Sequence, residues 1–374
     1  MDLAIAHDYL TTRGGAERVV LEMHRAWPRA PIHTSLYWPE GTFPELRHAD
    51  VQPMPLNRIR PLQRNYRAAL PFLAPSFSSK SIDADVVLCS SSGWAHGVKT
   101  RGMKVVYCYA PARWLYQPGR YLRDAGMAWK AGRAALAPAL MRWDHRAMAS
   151  ADLVIAISTA TAAAIGDVYG RDAPVIHPPV SLSADGPVAL PHGVEGGHLL
   201  CVSRLMPYKN VDVILAAMRQ HPHEHLVVVG TGPDEARLKA LAPPNVRFVG
   251  TVTDAELRWL YANAKGLVAM SHEDFGLTPI EAASFGVPTA ALKAGGYLDT
   301  VASGTTGILA PTLDDDDCAT AIGHLLVTAW NRDAIRQHAR QFLPDEFRSS
   351  LSEAIAAASS AASEVMGRNG TAPV

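Results

Sequence analysis

The chain has 374 residues, beyond the roughly 250–300 at which one hydrophobic core stops growing, so two domains are expected. With 48% hydrophobic and 19% charged residues it is neither disordered nor collagen-like, and four widely spaced cysteines (Cys89, Cys108, Cys201, Cys318) exclude a CxxC zinc site and a disulfide framework. Net charge is zero, yet residues 1–180 carry 21 Lys+Arg against 14 Asp+Glu and the remainder carries 14 against 21.

Much of that basic excess sits at Arg58, Arg60, Arg64 and Arg67, then at Arg113, Arg120, Arg123, Lys130, Arg133, Arg142 and Arg146. Two readings stay open: solvated faces through which the halves attract each other, or contact with an anionic acceptor or an anionic membrane surface. For Trp129 and Trp143, in the helical region 124–150, burial against the core is favoured over membrane contact. No nucleic acid partner is indicated. No apolar run approaches the ~18 residues of a span and Met1–His7 lacks a basic leader region, so a soluble, cytoplasmic protein, at most peripheral to the inner membrane face, is expected.

In chain order, Leu3–His7 reads as a strand and Ala16–Ala26 as the helix after it, with Val19, Val20 and Met23 at helical spacing. Strands are expected at Val86–Ser90, Val105–Tyr109, Leu153–Ile157 and Val175–His177. The Pro- and Gly-rich stretch 178–197 reads as a linker, beyond which strands are expected at Leu199–Ser203, His225–Val229, Val246–Val249, Gly266–Met270, Pro288–Ala291 and Gly307–Leu309. Alternation of strands and helices specifies an α/β fold of two parallel-sheet domains with a hinge, residues 1–182 and 195–344. A helix is expected at about 345–366, and 367–374 as a disordered tail.

The richest stretch is Ser271-His272-Glu273-Asp274-Phe275-Gly276-Leu277-Thr278-Pro279-Ile280-Glu281. It reads as strand end, Gly turn and helix start, with Thr278 as N-cap, Pro279 at the first position and Glu281 at the third. Free N–H groups there suit a diphosphate, and Glu273 and Glu281 are carboxylate acceptors for a hydroxyl-rich sugar at one end and a ribose at the other. Ser203-Arg204 through Lys209 places two cations at a strand's carboxyl end, able to stabilise a departing diphosphate without a metal. Gly230-Thr231-Gly232-Pro233 is an incomplete dinucleotide fingerprint, read as a tight turn for close approach of a nucleotide. Thr12-Arg13-Gly14-Gly15 joins the first strand to the first helix, a permissive turn or a phosphate-side loop.

Asp83-Ala84-Asp85 is formally a DxD, but it precedes its strand and is read as a surface turn. Asp314–Asp317 is read as the acidic start of a helix. No metal and no cofactor are expected. Asp8 is the candidate for orienting an acceptor, with Arg113 beside it on the acceptor side; the alternative for Asp8 is an Asx turn.

Glu273 through Glu281 resembles the E-x7-E motif of the retaining GT-B glycosyltransferases of family 4. Gly14-Gly15, Ser203-Arg204 through Lys209, Val249-Gly250 with Glu256-Leu257 and Leu260-Tyr261, and Gly295-Gly296 with Asp299-Thr300-Val301 follow in family order. The resemblance spans nearly the whole chain and is strongest to bacterial exopolysaccharide and O-antigen enzymes. It implies two Rossmann-like domains facing a cleft, a C-terminal helix crossing back to the N-terminal domain, and transfer of a hexose with retention from a nucleotide-diphosphate sugar, GDP-mannose before UDP-sugars. The acceptor is a hydroxyl on a glycan, a lipid-linked saccharide or a small natural product. Carried over by position, Arg204 and Lys209 hold the diphosphate, Glu281 the ribose and Glu273 the sugar hydroxyls. Ser203, Gly230, Asp274 and the backbone of Phe275, Gly276, Leu277 and Thr278 line the donor, Val252 lies beside the base, and Gly14 and Gly15 close on the diphosphate. Tyr109 stands where relatives carry a histidine; it remains a hydrogen-bond donor but cannot shuttle a proton near neutral pH. An epimerase of the same fold and a silent sugar-binding homologue are the alternatives. A dehydrogenase is poorly supported without a complete G-x-G-x-x-G.

Overall fold

The computed structural model describes residues 2–117, 119 and 127–369. The chain divides into two units, Met1–Pro179 with Pro344–Val374, and Val180–Leu343. Each is built on a six-stranded sheet whose pairings are all parallel.

The first sheet comprises β1 Leu3–His7, β2 Ile32–Thr34, β3 Val51–Pro53, β4 Val86–Ser91, β5 Met103–Cys108 and β6 Leu153–Ala156, in the order β3-β2-β1-β4-β5-β6. Consecutive apolar residues fill β1, β4 and β5 because helices cover both faces of a parallel sheet. Two expectations change. β2 and β3 were not anticipated, since three residues each are too few to display a period, and Pro53 is tolerated because β3 is an edge strand. Val175–His177 is not a strand: only a single bridge joins Val175 to Ala156, where flanking Pro174, Pro178 and Pro179 remove donors for a ladder.

Helix Pro344–Asn369 belongs to this first unit. Phe347, Leu351 and Ile355, one turn apart, are its buried face, and the Phe347 ring meets Tyr107 edge-on at 5.6 Å. Arg348 pairs with the buried carboxylate of Glu22 on helix Gly15–Ala26. Residues 370–374 of the expected tail lie outside the described residues, and 367–369 continue the helix. Among the described residues no helix is long and apolar enough to cross a membrane. Trp143 packs against this unit's core and donates its indole N–H to Ser78, whereas the side chain of Trp129 lies outside the described residues.

The second sheet repeats the winding: β7 His198–Val202, β8 Leu226–Val229, β9 Val246–Gly250, β10 Ala264–Ala269, β11 Thr289–Leu292 and β12 Gly307–Ala310, in the order β12-β11-β10-β7-β8-β9. Successive side chains point to opposite faces. Leu199, Cys201, Leu226 and Val228 enter one core, and Leu200, Val227 and Val229 the other. Each such aliphatic residue contributes about 1.5–3 kcal/mol on burial. Within the Pro- and Gly-rich stretch Leu182 and Val194 join the second core, and Arg258 binds the carbonyls of Ser183 and Pro187.

In both sheets the strand order reverses between the first and fourth strands of the unit, β1/β4 and β7/β10. At such a reversal, beyond the carboxyl ends of the strands, doubly wound folds bind their ligands.

Candidate functional site

In the second unit the loops after β7 and β10 meet at that reversal. Pro207–Lys209 forms a single 3₁₀ turn and Asn210 adopts φ 53°, from where its side-chain amide donates to the Met270 carbonyl at 2.9 Å. This left-handed position suits Asn and pins one loop to the other. Lys209 Nζ then reaches Glu273 Oε1 at 2.5 Å, with both side chains largely buried. Arg204, five positions earlier on the same loop, is exposed and donates to the Tyr208 hydroxyl at 3.3 Å. Ser203 follows β7 directly. Gly230, after β8, has φ 123° and its backbone presses on the Ser203 carbonyl so closely that a Cβ would overlap it. Val252 lies at the carboxyl end of β9, half-buried against the second core.

The helix after Glu273 begins differently from the sequence expectation. It spans Leu277–Ser284, and Gly276 with φ 96° is its N-cap, so Thr278 lies inside the first turn and Pro279 at the third position. Glycine's access to positive φ starts the helix two residues earlier than expected. Glu281 does not close a capping box: its Oε2 accepts from the Tyr261 phenol at 2.9 Å. Asp274 and Phe275 occupy the turn before Gly276, and the Phe275 ring packs on Phe342 at 5.8 Å. Gly295 and Gly296 lie against the backbone of Glu273 and Phe275, and Gly296 N donates to the Glu273 carbonyl at 2.9 Å. Arg204, Lys209 and Glu273 therefore occupy the two adjoining loops after β7 and β10, with Glu281 on the helix that follows, and Lys209 and Glu273 are in direct contact.

The first unit holds its own cluster at β1/β4. Asp8 is 2% exposed and its two oxygens accept from the backbone N–H groups of Ser92 and Ala95, each at 2.7 Å, so its carboxylate shapes the loop after β4 rather than its own turn. Burial is the largest influence on it and raises its pKa from 3.8 to about 6, against the lowering by those N–H groups. His7 Nδ1 lies 3.1 Å from the Ser90 carbonyl, which can only accept, so Nδ1 carries the proton. Burial lowers the imidazole to about 4 and keeps it neutral. Tyr109 donates to the Ala16 carbonyl at 3.2 Å and receives Ser90 Oγ at 2.8 Å. Ser90 Oγ in turn accepts from His7 at 3.0 Å, which makes a directed chain from β1 through β4 and β5 to helix Gly15–Ala26. Burial pushes the Tyr109 phenol far up, so it stays protonated.

Gly14 is the N-cap of that helix, and Gly15 its first residue. Glu17, 4% exposed, accepts from Gly14 N at 3.1 Å and from the Thr12 hydroxyl at 2.6 Å, and a Cβ on Gly14 would stand 2.5 Å from its Oε2. Arg113 opens the short helical turn Arg113–Tyr116 after β5.

Sequence reasoning missed Glu17, His7, Ser90, Asn210, Ser271 and Tyr297, and it gave Tyr261 a place in the family pattern but no role. Glu17 could have been found from the Gly-x-x-Glu spacing of a capping box; the others act through contacts between distant segments. It also missed Ser91, His96 and Asp144, joined at 2.8 and 2.9 Å, with the Tyr116 and Tyr169 phenols on the other Asp144 oxygen at 2.7 Å each. All three are at most 1% exposed, so this Ser–His–Asp series fastens helix Met127–Ala149 to the β4 loop and admits no substrate. The Asp83-Ala84-Asp85 run stands before β4, and Asp314 caps helix Asp315–Val327 by accepting from Asp316 N.

A sequence model described as Glycosyltransferase Family 4 matches residues 13–184, and one described as Glycosyl transferases group 1 matches residues 190–342. The chain belongs to the family 4 glycosyltransferases. Among the relatives of this family 4 chain, the D-inositol 3-phosphate glycosyltransferase of Mycobacteroides abscessus is 35% identical over 173 residues, 41% of this chain and 39% of that protein. The GDP-mannose-dependent alpha-(1-6)-phosphatidylinositol monomannoside mannosyltransferase of Mycolicibacterium smegmatis is 28% identical over 203 residues, 47% of this chain and 53% of that one. The matched stretch thus spans about half or less of these relatives. Anabaena HepE, solved in complex with UDP-glucose, superposes with a TM-score of 0.71 at 20% identity, covering 96% of this chain and 100% of that one, which shows that the two share the GT-B fold.

Proposed function

We propose that this chain is a retaining, metal-independent glycosyltransferase that transfers a hexose from a nucleotide-diphosphate sugar to a hydroxyl acceptor. The observation that carries the reading is the Lys209–Glu273 contact at the reversal point of the second sheet, with Glu281 on the helix that follows. A cation for the diphosphate and a carboxylate for sugar hydroxyls stand side by side, and a second carboxylate is set for the ribose. The relative named as GDP-mannose-dependent supports a GDP-sugar, mannose first, and the UDP-glucose complex of HepE supports UDP-sugars next.

The acceptor oxygen attacks the anomeric carbon as the bond from that carbon to the diphosphate breaks, on the same face, and the acceptor's proton passes to the departing phosphate oxygen. Arg204 and Lys209 stabilise the charge that develops there. Ser203, Gly230, Asp274 and the backbone from Phe275 to Thr278 line the donor, Val252 flanks the base, and Gly14 and Gly15 serve the diphosphate. Tyr109, held neutral, acts by hydrogen bonding and by fixing the start of helix Gly15–Ala26. Asp8 and Arg113 serve the acceptor side, Asp8 by shaping the β4 loop. A lipid-linked acceptor, cytoplasmic placement and peripheral contact with an anionic membrane complete the proposal; the phosphatidylinositol mannoside named for one relative supports the lipid part.

The test is a panel of GDP-, UDP- and dTDP-sugars in a thermal-shift assay, followed by NMR of the product formed in excess chelator. Donor-dependent stabilisation and an axial-for-axial product are expected. A changed sugar without any acceptor identifies an epimerase instead, and an inverted anomer or chelator-abolished turnover removes the corresponding claim.

A further inference from the structure

We propose that Tyr297 and Ser271 are positioning residues that hold Glu273 in its sugar-facing orientation; this rests on the reading of Glu273 given above. Ser271 Oγ donates to Glu273 Oε1 at 2.5 Å and lies 2.9 Å from the Tyr297 hydroxyl. A serine has one hydroxyl proton, and here it goes to the carboxylate, so the phenol must be the donor to Ser271. The relay therefore has a direction, from Tyr297 O–H to Ser271 O–H to Glu273 Oε1, where it meets the Lys209 ammonium.

Both supporting groups are built into the fold. Tyr297 is 2% and Ser271 5% exposed. Tyr297 follows Gly295 and Gly296 on the loop after β11, the same loop whose Gly296 N–H holds the Glu273 carbonyl, so that loop grips Glu273 through backbone and side chain alike. The Tyr297 ring also fills the space beside Gly276, where a Cβ would stand 2.6 Å from it. One buried side chain thus supports both the carboxylate and the turn that leads into helix Leu277–Ser284. Burial, then the nearby Glu273 charge, raise the phenol well above its usual range, which keeps it a donor and rules it out as a base. Charge-assisted hydrogen bonds of this kind fix a carboxylate rotamer more strongly than neutral ones.

Tyr297→Phe keeps the ring against Gly276 and deletes only the O–H. Ser271→Ala breaks the relay, and Ser271→Thr returns a hydroxyl. With whichever of GDP-mannose or UDP-glucose is turned over, kcat/KM is expected to fall about tenfold in Tyr297→Phe and in Ser271→Ala, while the affinity for bare GDP or UDP stays within about twofold of the parent. Ser271→Thr is expected to recover most of the loss, and adding Tyr297→Phe to Ser271→Ala to cost nothing further, because the phenol acts through the serine. Equal losses for the bare nucleotide and the nucleotide sugar, or losses that multiply in the double variant, overturn the relay. Should Tyr297→Phe not fold, the Ser271 pair carries the test by the same readout. Glu273→Gln separates the two levels: if it leaves kcat/KM unchanged, the reading of Glu273 falls, and if it abolishes turnover while Tyr297→Phe is silent, only the relay does.

Discussion

Glu281 receives the phenol O–H of Tyr261 at 2.9 Å, from a helix twenty residues earlier in the chain. The carboxylate is 7% exposed, so the phenol satisfies one of its oxygens and aims the group as well. If Glu281 reads the ribose, the parent should prefer GDP or UDP over the 2′-deoxy nucleotide by about tenfold, and Glu281→Ala should bind both alike, more weakly. Tyr261→Phe should weaken that preference and cost about 1–3 kcal/mol of stability through the lost hydrogen bond to a buried carboxylate. Calorimetric titration of the two nucleotides checks the first, and urea unfolding the second.

Lys209 is already paired with a carboxylate before any ligand arrives. A diphosphate must compete with Glu273 for that ammonium, which gives opposite signs for the two variants. Lys209→Ala should lose nucleotide affinity and reduce turnover at least tenfold, about 1.4 kcal/mol in barrier. Glu273→Gln should bind the bare nucleoside diphosphate as well as the parent or better, because the competing charge is gone, yet turn over the nucleotide sugar poorly. Equilibrium binding of GDP and UDP beside steady-state kinetics distinguishes them; parallel losses in both variants would contradict the arrangement.

What the sequence revealed and what it hid divide along a physical line. Buried parallel strands write themselves as apolar runs, so β1 is read to the residue, and β4, β7 and β10 nearly so. The carboxylates and cations of the second unit stand out because glycines and prolines punctuate their loops. Helix onset at Leu277 rather than Pro279 was hidden because it depends on the positive φ of Gly276, a position with the Tyr297 ring and the Thr300 hydroxyl packed beside it. For Asp8 the sequence left open an acceptor-orienting carboxylate or a local Asx turn, and its hydrogen-bond partners lie 84 and 87 positions away. Tyr109 drew attention by its position alone; only the fold connects it to Ser90, His7 and Ala16.

Gly276 is the position where a single methyl group should do most harm. Its φ of 96° is left-handed backbone that favours glycine, and a Cβ would stand 2.6 Å from the Tyr297 ring. Gly276→Ala is expected to cost about 1–3 kcal/mol and to displace the turn between Glu273 and Glu281. A lowered Tm together with reduced donor stabilisation in the thermal-shift assay is the anticipated result. By contrast Gly304→Ala, at φ 78° with nothing within 4 Å, carries the backbone strain without the clash and should leave donor stabilisation intact.

His7 and Asp8 are neighbours whose proton linkages oppose each other. The folded pKa of His7 is depressed to about 4 from 6.5, so its contribution to stability is present above 6.5 and is lost as pH falls through 4. The folded pKa of Asp8 is raised to about 6 from 3.8, so its contribution is present below 3.8 and is lost as pH rises through 6. Acidification from pH 7 to 4 therefore weakens the fold through His7 and strengthens it through Asp8, each by about 3 kcal/mol at most. Buried Glu17, whose carboxyl is also pushed up by desolvation, acts in the same sense as Asp8. Replacing His7 by Gln removes one arm only. His7→Gln should gain on the parent by up to about 3 kcal/mol as the pH falls from 7 to 4, whatever its stability at pH 7. Urea unfolding at pH 7, 5.5 and 4 measures the difference directly, and a constant offset between the two proteins would show that the imidazole is not held neutral in the folded chain.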